Sequence, residues 1–229
     1  MLNETDILPE GLLEAKATEL LDLLGTPTLI HLQGEKPEPL FISTLLHGNE
    51  TTGFYAVQSL LKEYQDKPLP RSVSVFIGNV EAAAAEQRRL DRQPDYNRVW
   101  PGTHHDSCAE TDMMANVSSI MRKRKPFASI DIHNNTGLNP HYACVNILNP
   151  HCMQLAGMFG NTVVYFTSPK GVQSAAFSDF CPSVVLECGQ SGQADGVTHS
   201  AAFLQAVLNT EKLLPEHPEH ISLYHTVAR

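Results

Sequence analysis

"PLFISTLLHGNETTGFYAVQSLLKEY", residues 39–64, holds a strand and a helix with one polar turn between them. Residues 40–46 form a largely apolar run, the pattern of a strand buried on both faces. From about residue 50 to 64 apolar side chains recur at helical spacing. Between the two stand His47, Gly48, Asn49 and Glu50. A strand that passes through a short turn into a helix is the building unit of an α/β fold. In open α/β sheets, ligands bind beyond the carboxyl ends of the strands, where this turn lies.

The rest of the chain repeats the pattern. A helix is expected over Leu12 to Leu24, and strands at "TLIHL" (28–32) and "SVSVFIGN" (72–79). An irregular region (80–107) and a helix over about 108–124 follow. Further strands are "FASIDIH" (127–133), "HYACVNIL" (141–148), "TVVYF" (162–166) and "PSVVLECG" (182–189), with helices over about 150–160 and 196–214. Strands alternating with helices predict a three-layer α/β/α sandwich around a mixed, mostly parallel sheet. One domain is expected over residues 1–215, with 216–229 as a tail. "ISLYHTVAR" (221–229) reads as a strand and suggests that a small β-rich domain begins there.

Composition narrows the function. The 229 residues are 42% apolar and carry a formal charge of −9, which argues against nucleic acid as a partner. The one basic cluster, "MRKRKP" (121–126), falls at a helix end, where it suits the helix dipole. No basic amphipathic helix and no apolar run of about 18 residues point to a membrane, and the first residues lack the form of a signal peptide. Five cysteines without a CxxC pair favour reduced thiols and a cytoplasmic protein.

His47 and Glu50 are three residues apart, close enough on a helical turn to share one ion. Imidazole nitrogen and carboxylate oxygen suit zinc, but the pair alone reads more readily as a polar turn, and Asn49, Thr51 or Thr52 as a helix cap. "SIDIHNNTG" (129–137) supplies a second strand-end histidine, His133, with Asp131 on the same face. "VVLECGQSG" (184–192) ends a third apolar strand at Glu187, a carboxylate costly to bury without a partner. It is either an ion-paired edge residue or a base beside a zinc-activated water. "GQSG" lacks the G-x-S-x-G spacing of a nucleophilic serine. In the cationic loop "RRLDRQPDYNRVWPG" (88–102), Asn97 and Arg98 suit a carboxylate, and Arg88, Arg89 or Arg92 a polarised carbonyl. His104, His105 and His141 are spare imidazoles.

"HGNE" (47–50), "DYNRVWPG" (95–102), "DIHNNTG" (131–137) and "LECGQSG" (186–192), in this order, resemble the succinylglutamate desuccinylase/aspartoacylase family of the zinc carboxypeptidase superfamily. The resemblance spans about residues 40–212 and implies a zinc carboxypeptidase-like sandwich holding one zinc ion. It implies zinc ligands His47, Glu50 and His133, with Glu187 as general base and later proton donor. Asn97 and Arg98 would hold the carboxylate of a small-molecule substrate. Asp95 would orient a ligand histidine, His47 first. The carbonyl-polarising arginine falls at Arg89, with Arg88 as the alternative. The implied reaction is hydrolysis of the amide bond of an N-acyl amino acid. Rival readings are a metallocarboxypeptidase acting on peptides and a metal-binding domain without catalysis; an oligomer is compatible with either. One departure stands out. The family's amidases use a further arginine before the glutamate strand, whereas here no arginine lies between 125 and 228, and Lys170 is the only basic replacement in the approach to Glu187.

Overall fold

The structure is a computed structural model that describes residues 1–215 and 220–227. Among the described residues, nine strands form one sheet: β1 (Asn3–Thr5), β2 (Thr28–Leu32), β3 (Gly34–Thr44), β4 (Leu69–Ile77), β5 (Ala128–His133), β6 (Tyr142–Val145), β7 (Thr162–Tyr165), β8 (Ser183–Glu187) and β9 (Ser222–His225). Their spatial order is β1-β2-β4-β3-β5-β8-β6-β7-β9. The central strands β4, β3, β5 and β8 are mutually parallel. The direction reverses at β2 on one side and at β6 on the other. The expected mixed, mostly parallel sheet is therefore present.

Helices cover both faces, because the central strands are buried on both sides. Ile42, Val75, Ile130, Val184 and Leu186 pack with α2 (Thr52–Lys62), α5 (Pro150–Phe159) and α7 (Ala194–Asn209). On the other face, Leu29, Phe41 and Phe76 meet Trp100, Val117, Met121 and Phe177, with α4 (Ala109–Arg124) and α6 (Gln173–Ser178). Phe41 stacks on Phe177 at 4.5 Å, and Trp100 stands edge-on to Phe76 and Phe177. Aromatic packing of this kind adds to area burial. Arg122, Lys123 and Arg124 fill the last turn of α4, as the basic cluster suggested.

Several elements differ from expectation. The helix foreseen over 12–24 is only a 3-10 turn (Ala17–Glu19) followed by α1 (Leu20–Leu24). Gly11, at a φ of 80°, keeps the preceding segment in turns. The irregular region contains a short helix, α3 (Val80–Ala84), capped by Asn79, whose side chain accepts the Ala82 N–H. The strand foreseen over 221–229 is β9, which pairs in parallel with β7 at the sheet edge; residues 216–219 and 228–229 lie outside the described residues.

Candidate active site

β3 ends at Thr44, and Leu45, at a φ of 55°, turns the chain out of the sheet. His47 and Glu50 follow before α2 begins at Thr52. Gly48 has a steric reason: a Cβ there would lie 2.2 Å from the backbone of Ala82 and Ala83, so the turn rests directly on α3. The N-terminus of α2 is capped by Asn134, a residue distant in sequence. Its Oδ1 accepts the Thr52 N–H at 3.2 Å, and its Nδ2 donates to Thr52 Oγ1 and to the Gly189 carbonyl, both at 2.8 Å. The Asn134 backbone N–H donates to Glu50 Oε2 at 3.1 Å. The end of β5 thus fixes the carboxylate of the HGNE turn.

His133 ends β5 beside His47. The two Nδ1 atoms are 3.2 Å apart, and Glu50 Oε1 and Oε2 lie 2.8 and 2.7 Å from them. Each Nε2 faces another carboxylate: His47 to Asp95 at 2.9 Å and His133 to Asp131 at 2.8 Å. With Asp95 and Asp131 able to hold the Nε2 protons, both Nδ1 atoms are left to face Glu50 and to serve as ligand atoms. Two imidazole nitrogens and a carboxylate converge on one point where a positive charge is favoured, a proton or a cation, so this donor set fits a metal ion. One ligand atom from each of His47, Glu50 and His133 falls within 4.8 Å of the others, all three residues being buried. Burial would raise the Glu50 carboxyl, but His133 and His47 hold it far below the ordinary range. Burial would lower His133, but Asp131 and Glu50 raise it well above an ordinary histidine.

Asp131 had a readable signal, its position two residues before His133 on a strand. Its second oxygen accepts from Ser43 Oγ at 2.7 Å, and Asn97 Nδ2 donates to Oδ2 at 3.2 Å. Asn97 Oδ1 accepts the Gln173 N–H at 2.8 Å. Asn97 therefore ties the loop to β5 and α6, in addition to lining the cavity. Asn134 had no signal, because its partners are set by tertiary contact.

Parallel pairing of β5 with β8 places Glu187 opposite His133, and Tyr142 lies on its other side. Glu187 is partly buried, and its Oε2 is enclosed without a hydrogen bond. Burial raises its carboxyl to about 7, with His133 opposing and Glu50 assisting. Glu187, the three-residue metal group, Arg88, Asn97 and Arg98 all line one cavity of about 260 Å³.

The arginine expectation needs correction. Arg89 does not line this cavity; its Nη1 donates to the Gln93 and Leu90 carbonyls. Arg88 does, donating to Glu50 Oε1 at 3.2 Å and to Asp95 Oδ2 at 3.0 and 3.3 Å. The Arg88 carbonyl also accepts the Gly48 N–H, which holds this residue against the HGNE turn. Arg92 pairs with Glu81 elsewhere. Lys170 is exposed outside the cavity, and His104, His105 and His141 do not join the metal group.

Residues 37–214 match the model of the succinylglutamate desuccinylase/aspartoacylase catalytic domain. The chain belongs to that family. The fold agrees with solved structures of family proteins. Succinylglutamate desuccinylase from Chromobacterium violaceum superposes with a TM-score of 0.69 at 19% identity, covering 85% of this chain and 71% of that one. The Vibrio parahaemolyticus desuccinylase gives 0.69 at 18% identity, covering 87% and 66%. The ectoine utilization protein EutE (DoeB) from Ruegeria pomeroyi gives 0.68 at 16%, covering 86% and 64%. The chain thus spans about two thirds of these proteins' length. It has no match among curated protein sequences. Among the described residues, no helix is long and apolar enough to cross a membrane.

Proposed function

We propose that this family member is a zinc-dependent amidohydrolase that releases an amino acid from its N-acyl derivative. The observation that carries the reading is the shared cavity, in which Glu187 faces the His47–Glu50–His133 group across adjacent strands. A zinc ion held by those three residues would polarise the scissile carbonyl and lower the pKa of the attacking water.

The chain's own groups supply the rest. Asp95 and Asp131 keep the Nε2 protons of His47 and His133 and so present both Nδ1 atoms as ligands. Glu187 accepts a proton from the attacking water. As the water oxygen bonds to the carbonyl carbon and the carbon–nitrogen bond breaks, Glu187 returns that proton to the leaving nitrogen. Arg88, at the cavity rim beside Glu50, stabilises the oxyanion, in the role expected of Arg89. Arg98 anchors the substrate carboxylate, and Asn97 holds the loop that presents it.

The test is Glu187→Gln. Hydrolysis of N-acyl amino acids should fall by at least ~10³-fold while metal analysis still finds about one zinc per chain. Full activity in this variant would refute the scheme.

A further inference from the structure

The rows of the sheet divide the cavity by polarity. His133, Glu187 and Tyr142 form one row across β5, β8 and β6. One step along the strands, Val185, Cys144 and Val164 form the next row across β8, β6 and β7. Phe166 follows Val164 at a spacing of two, and Val172 adds a buried wall. An apolar strip therefore begins beside Glu187 and runs across β6 to β7. The cavity's arginines, Arg88 and Arg98, both come from the loop at 88–98, and Arg88 is engaged by Glu50 and Asp95. Among the described residues, Lys170 lies outside the cavity, and the arginines that line it are those of the 88–98 loop.

We infer that this strip is a specificity subsite that selects substrates with a single carboxylate and an uncharged, apolar substituent, and that rejects dicarboxylic acyl amino acids. The inference rests on the deacylase reading and names the substrate class for that site. One carboxylate finds Arg98. A second would be driven against Val185, Cys144 and Val164 or toward the Glu187 carboxyl, losing its hydration without gaining a cation. An apolar side chain buries its surface there instead.

The experiment compares zinc-loaded protein on N-acetyl-leucine and N-acetyl-methionine with N-acetylaspartate and N-succinylglutamate. The first pair should show kcat/KM at least ~100-fold higher; equal or reversed values would overturn the subsite. Val164→Arg, which puts a cation on the strip, should narrow that ratio by at least ~10-fold through a gain on N-acetylaspartate. An unchanged ratio in a variant with normal thermal unfolding would overturn it too. Binding is measured separately by calorimetry, using ketone analogues of N-acetyl-leucine and N-acetylaspartate with CH2 in place of the scissile NH. Tighter binding of the leucine analogue supports the subsite even if Val164→Arg fails to fold. Tighter binding of the aspartate analogue, or of neither, refutes it. Selective binding of the leucine analogue without hydrolysis of any amide would refute the deacylase reading and leave the subsite standing.

Discussion

Adjacent arginines in one loop have opposite placements here. Arg88 reaches Glu50 and Asp95 at the cavity, whereas Arg89 is bonded to backbone carbonyls. Replacing Arg88 by Ala should lower kcat by about 10²-fold or more, and replacing Arg89 by Ala should change it less than ~3-fold. Steady-state kinetics of the two variants decides the assignment. Glu187 makes a second prediction, about stability. Its carboxyl is raised from 4.5 to about 7, so the folded state prefers the neutral form. The stability associated with this preference is fully present below about pH 4.5 and is lost as pH rises through about 7. In metal-free protein, Glu187→Gln should therefore be more stable than wild type at pH 8, by up to about 3 kcal/mol, and nearly equal to it at pH 4.5. Denaturant titrations at the two pH values measure this. A constant difference would show that Glu187 carries no such burden.

The HGNE turn shows what connects one element to the next. Its geometry depends on Leu45 in the left-handed region, on Gly48 against α3, and on Asn134 at the N-terminus of α2. Gly48→Ala would drive a methyl group into the Ala82–Ala83 backbone. The expected result is a loss of about 2–3 kcal/mol of stability and weaker zinc binding, because His47 and Glu50 must shift together. Thermal unfolding with and without zinc checks both effects. An unshifted melting curve would mean that the turn does not rest on α3. Gly171 has a comparable role in the loop before α6: at a φ of 73°, a Cβ there would meet the Arg98 carbonyl at 2.3 Å. The Trp100 N–H bonds the Gly171 carbonyl, so this contact sets the position of Arg98 over the cavity.

Across the molecule, the site joins the carboxyl ends of three parallel strands. β3 delivers His47 and Glu50, β5 delivers His133, and β8 delivers Glu187. An ion bound at such a junction ties together elements far apart in sequence and binds the folded state alone. Chelation of the zinc-loaded protein should lower its unfolding temperature by roughly 10 °C, and restoring zinc should reverse the change. Calorimetric scans test this, and an unaltered melting temperature would place the ion elsewhere.

Much of this was legible from the residues. Apolar strands alternating with helical periodicity foretold the layered sheet, because burial on both faces leaves a continuous apolar run. His47 and Glu50 stood out by their spacing, His133 by its place at a strand end, and Glu187 by the cost of burying a carboxylate unpaired. Other features depended on which strands became neighbours. The β5–β8 register sets Glu187 against His133, and the fold of the 88–98 loop chooses Arg88 over Arg89. Asn134 caps a helix more than eighty residues away, and Val164, Cys144 and Val185 meet only across three strands. Local pattern reports which side chains must leave water; pairing between distant segments determines which of them face one another.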